Sequence, residues 1–134
     1  MKIRNRRTIQ IESERGQALT EFALALPILA LLLFAVIQFG IAFNNYVTLT
    51  DATRAGARKA AVARRLSDPR GACITAVRNS AVDLKSGDLT ADCQSTWQPG
   101  TDVTVTATYP YKISLLGQVV KSGRLSSTTT ERVE

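Results

Sequence analysis

Between Phe22 and Phe43 the chain runs for 22 residues with Gln38 as its one clearly polar side chain, Pro27 and Gly40 being the other interruptions. As a helix this stretch is about 33 Å long, enough to cross a hydrocarbon core of about 30 Å. Fourteen of its residues are Leu, Ile, Val or Phe. At roughly −0.3 to −0.6 kcal/mol each on the insertion scale, they outweigh a single Gln. A soluble helix this apolar on every side needs a large protein around it, and 134 residues cannot supply one. The run therefore constrains the chain to one membrane-spanning helix with a small domain attached.

The charge is split across that span. The formal net charge is +6. Lys2, Arg4, Arg6, Arg7 and Arg15, set against Glu12 and Glu14, make the segment before Gln17 basic. A basic flank argues for a cytoplasmic N-terminus. Arg54, Arg58, Lys59, Arg64 and Arg65 follow the span closely, however, so charge alone leaves the orientation open. Residues 1–16 show no hydrophobic periodicity and read as a leader rather than as structure. The apolar run is too long for the core of an ordinary secretory signal, and no small-residue cleavage pattern follows it. A cut, if made, falls before the span.

Beyond the span, helix is expected to continue to Leu66, because no Pro occurs from Tyr46 to Leu66 and good helix formers abound. At 100° per residue, Arg54, Arg58 and Arg65 fall on one basic face. Asn45, Leu49, Ala52, Gly56, Ala60 and Ala63 form a small, weakly apolar stripe opposite. Ser67-Asp68-Pro69 ends the helix. The long helix thus covers 17–66, with Pro27 as a bend near its start. A short second helix is expected within 70–85, from Ile74, Val77, Ala81 and Leu84. Residues 86–100 read as loop. Val103, Val105, Ala107 and Tyr109 then alternate with polar residues as a half-buried strand that Pro110 ends or marks as an edge. Residues 113–123 read as a connection with Gly117 and Gly123 as turn points, and Leu125 to Val133 as a second strand. The fold class expected is α+β: a long N-terminal helix, transmembrane over about 22–43, packed against a small antiparallel sheet with a short second helix, the small domain occupying 67–134.

Such a thin domain needs a staple. Cys73 and Cys93 both follow the span. They fit a disulfide in an oxidising compartment, or two free thiols in a reducing one; the small domain favours the bridge. The bridge would close a loop worth on the order of 3 kcal/mol. With no His in the chain, no C-x-x-C pair, no phosphate-binding Gly loop and no paired carboxylates, nothing points to catalysis, a metal or a cofactor. The basic face of Arg54, Arg58 and Arg65 reads as a solvated or subunit-contacting surface, with anionic lipid headgroups as an alternative. Nucleic acid is disfavoured, since no aromatic residues interleave with the charge.

The most informative stretch is Arg15-Gly16-Gln17-Ala18-Leu19-Thr20-Glu21-Phe22: a Gly closing a basic leader, a carboxylate five positions on, and the apolar helix at once. It resembles the signal of type IV pilins and pseudopilins. Together with the run to Pro27, Phe39-Gly40 and Arg54-Ala55-Gly56-Ala57-Arg58, it resembles the TadE-like proteins of the tight-adherence (Tad/Flp) pilus system. That resemblance implies a minor pilin or pseudopilin cut by a prepilin peptidase between Gly16 and Gln17. Glu21 would be the assembly carboxylate, partnered by the freed amine of Gln17. It further implies other pilin subunits, the inner-membrane assembly platform and the lipid bilayer as partners, and a single-pass inner-membrane location with the C-terminal domain extracytoplasmic. The alternative is an uncleaved, signal-anchored envelope protein acting as a binding module. It gives no reason for the Gly16 to Glu21 spacing.

Overall fold

A computed structural model describes the backbone of residues 7–115 and 117–134, and side chains from Gly16 onward except at 116. The first six residues of the expected leader, and the side chains of its remainder before Gly16, lie outside the described residues. Five elements follow in order: α1 (Arg7–Ala61), α2 (Pro69–Ser80), β1 (Thr90–Gln94), β2 (Asp102–Leu115) and β3 (Gln118–Arg132). The α+β class and the antiparallel sheet are as expected. The sheet has three strands in the order β1-β2-β3.

The chain divides into two units, residues 1–37 and 38–134. In the first, every described side chain from Gly16 to Ile37 is exposed. Apolar side chains such as Leu24, Ile28 and Leu33 face outward all around, which a helix does in lipid, not in water. α1 is long and apolar enough to cross a membrane.

In the second unit one side of α1 closes the core. Leu49, Ala52, Ala57 and Ala60 are fully buried, with Ala63 just beyond the helix end. They pack with Cys73 and Val77 of α2 and Val103, Val105 and Ala107 of β2. The small stripe is thus the face on which the domain sits, and Ala57 and Thr53 belong to it as well. Gly56 is where the elements come closest: a Cβ there would collide with Val77 Cγ2 and lie 3.4 Å from Val105 Cγ1.

α1 ends at Ala61 rather than Leu66. Its end is taken up tertiarily: the Glu134 N–H donates to Ala61 O (2.9 Å), while Ala63 N–H donates to Ala60 O (3.1 Å) and turns the chain inward. Arg65 therefore lies past the helix, and the three-arginine face reduces to Arg54 and Arg58. α1 also begins at Arg7, so helical backbone, not an unstructured leader, precedes Gly16. Nearest-neighbour propensity suffices there, since Gln, Glu and Arg are good helix formers.

α2 starts one residue earlier than expected and stops at Ser80. Asp68 caps it, accepting the Gly71 N–H at 2.8 Å, with Pro69 in the first turn where a missing N–H costs nothing. Ala81 and Leu84 are buried in the turn that follows.

The expected loop over 86–100 contains a strand, β1. Its sequence, Thr-Ala-Asp-Cys-Gln, has weak strand propensity. Pairing with β2 (Thr90 opposite Thr108, Gln94 opposite Thr104) creates it. The expected connection over 113–123 is instead a hairpin: β2 and β3 stay paired to Leu115 opposite Gln118. Gly117 makes the reversal with φ +83. Gly123 does not turn the chain; it pairs with Tyr111, whose ring covers it at 2.8 Å from a would-be Cβ. Pro110 sits within β2 beyond the end of β1, where β2 has a neighbour on one side only, so its missing N–H is tolerated.

Candidate functional site

The residues picked out for processing stand at the head of the span. Gly16, Gln17 and Glu21 are all helical and exposed. Four residues apart, Gln17 and Glu21 share one side of the helix, and Gln17 Nε2 donates to Glu21 Oε1 at 3.0 Å. A donor at position 17 thus reaches the carboxylate on the same helix. Thr20 Oγ1 donates back to Gly16 O at 2.9 Å, holding the carbonyl of the Gly16–Gln17 bond.

Gly16, like Gly40 of the same helix, is a glycine that no described neighbour approaches. A Cβ at Gly56, Gly71 or Gly123 would meet neighbouring atoms closely, whereas one at Gly16 meets nothing within 4 Å. Glycine inside a helix costs about 1 kcal/mol relative to Ala. Among the described residues nothing packs against this position.

α1 runs through Pro27 without interruption; the ring removes the N–H that would bond the carbonyl of Ala23. Arg54 is exposed and 3.7 Å from Asp51, also exposed; such a pair contributes little. Arg58 and Arg65 are exposed. The basic residues are thus free for contact but not gathered into a site.

Cys73 and Cys93 are bonded, with Cα atoms 6.5 Å apart. The bridge ties α2 to β1, and both sulfurs' residues are buried. Beside it, Arg70 Nη2 donates to Asp92 Oδ1 at 2.6 Å, and Gln94 Nε2 donates to Asp92 Oδ2 at 2.7 Å. These donors, Gln94 first and Arg70 next, hold the Asp92 carboxyl below its ordinary value. β1, the weakest strand in sequence, is therefore fixed by a covalent bond and a charge-assisted one.

Two arrangements escaped the sequence reading. Thr53, fully buried on α1, lies 3.2 Å from both Ser127 Oγ and Thr129 Oγ1 of β3 and donates to Thr50 O at 2.8 Å. Thr53 follows Leu49 by four residues, which was the available signal. The second is a cleft of about 480 Å³ between α1 and the hairpin, lined among others by Phe39, Phe43, Tyr46, Tyr111, Lys121 and Leu125. No local pattern announces it, because its walls are about 70 residues apart in the chain. Among the described residues no group of His, Cys, Asp and Glu is placed to hold a metal.

A family model described as TadE-like protein matches residues 16–58. No curated protein matches the chain, and no solved structure does. The match begins at the glycine of the proposed signal and ends at the second arginine of the basic face. Residues 16–58, from Gly16 through the apolar run to the start of the packing stripe, are therefore TadE-like.

Proposed function

We propose that this chain is a structural subunit of a Tad-type pilus, a minor pilin or pseudopilin, membrane-anchored by α1 and matured by a prepilin peptidase that cuts between Gly16 and Gln17. The observation that carries this reading is Gly16 itself. It opens the TadE-like segment and stands five positions before Glu21 at the mouth of the apolar run, a place that Gly40, the other open glycine of α1, does not share. A peptidase that takes its substrate extended through a narrow site has a use for a missing Cβ.

Cleavage would leave a free amine on Gln17. Glu21 is the one acidic residue between Gln17 and Thr50, and a carboxylate at the edge of hydrocarbon needs a partner. The amine four residues back, or that of a neighbouring subunit, supplies one. Pro27 would let the helix bend as subunits pack. The basic leader would stay cytoplasmic and the disulfide-bonded domain extracytoplasmic, with the inner-membrane assembly platform and other pilins as partners. The role is assembly, not catalysis.

The mass of the mature protein isolated from its own host tests this directly. Loss of residues 1–16 is expected; an intact N-terminus in functioning assemblies would sink it. Gly16→Val should block maturation while leaving the unfolding of the domain unchanged. The second reading, an uncleaved anchor carrying a binding module, draws on α1 running unbroken from Arg7 through Gly16. It predicts that Gly16→Val changes nothing.

A further inference from the structure

Within the second unit the β2–β3 hairpin runs alongside α1 from Thr53 to Phe39. Ser127 meets Thr53. Lys121 lies six residues further along β3, or about 20 Å at a strand's rise. The same distance along α1 takes about 13 residues, from Thr53 to Gly40. The cleft agrees: Lys121 and Leu125 line it together with Phe39 and Phe43 of α1. The far half of the hairpin is thus level with the last turns of the apolar helix.

The composition there fits that position. From Tyr109 to Ser126 the chain carries Lys112, Lys121 and Arg124 and no carboxylate. Among the described residues none of these three is in an ion pair. Arg124 is held in place by Thr90 and Thr108 at 3.2 and 3.0 Å. Further along, Val119 and Val120 are 59% and 63% exposed. The strand register skips Val120 between Ile113 and Ser114, a bulge that leaves it unpaired. Exposed apolar residues at a tip, with cations a few residues behind and Tyr46 and Tyr111 at the same level, are the arrangement of a segment that enters a lipid interface.

We propose that the hairpin is a second membrane contact. Val119 and Val120 enter the headgroup–acyl boundary of the bilayer that α1 spans, an acyl chain occupies the Phe39–Phe43–Leu125 cleft, and Lys112, Lys121 and Arg124 hold anionic phospholipid headgroups. This rests on α1 being the anchor but not on its processing. The contact fixes the domain on the membrane before assembly, and withdrawal of the subunit into a filament must break it. With about fivefold per cation near an anionic surface, three cations favour the docked state roughly a hundredfold.

The test uses the full chain with Trp97→Phe and Val119→Trp, which leaves one indole at the tip. It is reconstituted in nanodiscs of phosphatidylcholine alone or mixed with phosphatidylglycerol. In the mixed discs the indole should be quenched by lipid brominated in its acyl chains and shielded several-fold from aqueous iodide. Adding Lys112→Gln, Lys121→Gln and Arg124→Gln should abolish both effects, as should phosphatidylcholine alone. An indole fully open to iodide and unquenched by the brominated lipid in every disc overturns the contact. Equal shielding with and without the anionic lipid or the three cations overturns its headgroup recognition. Failure of the anchor shows separately, as alkaline carbonate releasing the chain from the bilayer, and failure of processing as an uncut N-terminus in the host.

Discussion

Gly56 is the position where the domain closes on α1, and replacing it measures how tightly. In Gly56→Ala the new methyl collides with Val77 Cγ2 and also contacts Val105 Cγ1 at 3.4 Å and Cys73 O at 3.5 Å. None of these can retreat easily, because Val77, Val105 and Cys73 are fully buried and Cys73 is held by its disulfide. Overpacking of this kind costs about 1–3 kcal/mol. Removing a helix glycine returns about 1 kcal/mol. The net expectation is a loss of about 1 kcal/mol. Val77→Ala removes two carbons, about 1.6 kcal/mol of transfer at roughly 0.8 each, and leaves a cavity besides. In the double variant each change relieves the other: the methyl at 56 fills the space that Val77 vacates. The pair should therefore be more stable than the sum of the singles by at least about 1 kcal/mol. Urea unfolding of the full chain in detergent, followed by the fluorescence of the single Trp97, which packs on the core, reads this. Additivity within about 0.5 kcal/mol, or a Gly56→Ala variant more stable than the parent by the full propensity gain, would refute the contact.

Three further outcomes are expected. Reducing the Cys73–Cys93 bridge, or replacing both residues by Ala, should lower domain stability by on the order of 3 kcal/mol, read as a shift of the urea midpoint with and without reductant. Thr53→Val leaves the Ser127 hydroxyl buried without its partner and should cost about 1–2 kcal/mol; adding Ser127→Ala should return part of it. Asp92 has its pKa lowered by Gln94 and Arg70, so its contribution is fully present above the ordinary carboxylate value near 3.9 and is lost as pH falls through the depressed folded value. Domain stability should therefore decline on acidification below about pH 4, with Asp92→Asn removing that part of the decline.

Much of the fold was legible because it rests on local regularities. The apolar run from Phe22 to Phe43 specified a helix long and apolar enough to span a membrane, since no domain of this size can bury such a helix. The small stripe of Leu49, Ala52, Gly56 and Ala60 announced the packing face, and the alternation from Val103 to Tyr109 announced β2. The TadE-like character of residues 16–58 was readable as well, because it lies in residues and spacing along the chain.

What escaped depended on partners distant in sequence. Thr90–Gln94 becomes a strand only because β2 lies alongside and Cys93 is bonded to Cys73. α1 stops at Ala61, where the Glu134 N–H takes up the last carbonyl, and Arg65 falls outside the basic face. Gly123 reads as a turn until Tyr111 is seen to cover it. The sequence by itself determined an apolar helix long enough to cross a membrane and a small α+β domain, because hydropathy and periodicity are properties of neighbouring residues. Only the tertiary structure decided where elements end, how β1 is held, and that the hairpin forms a cleft with Phe39 and Phe43 of α1, because those outcomes are set by hydrogen bonds and contacts between segments that the linear order keeps apart.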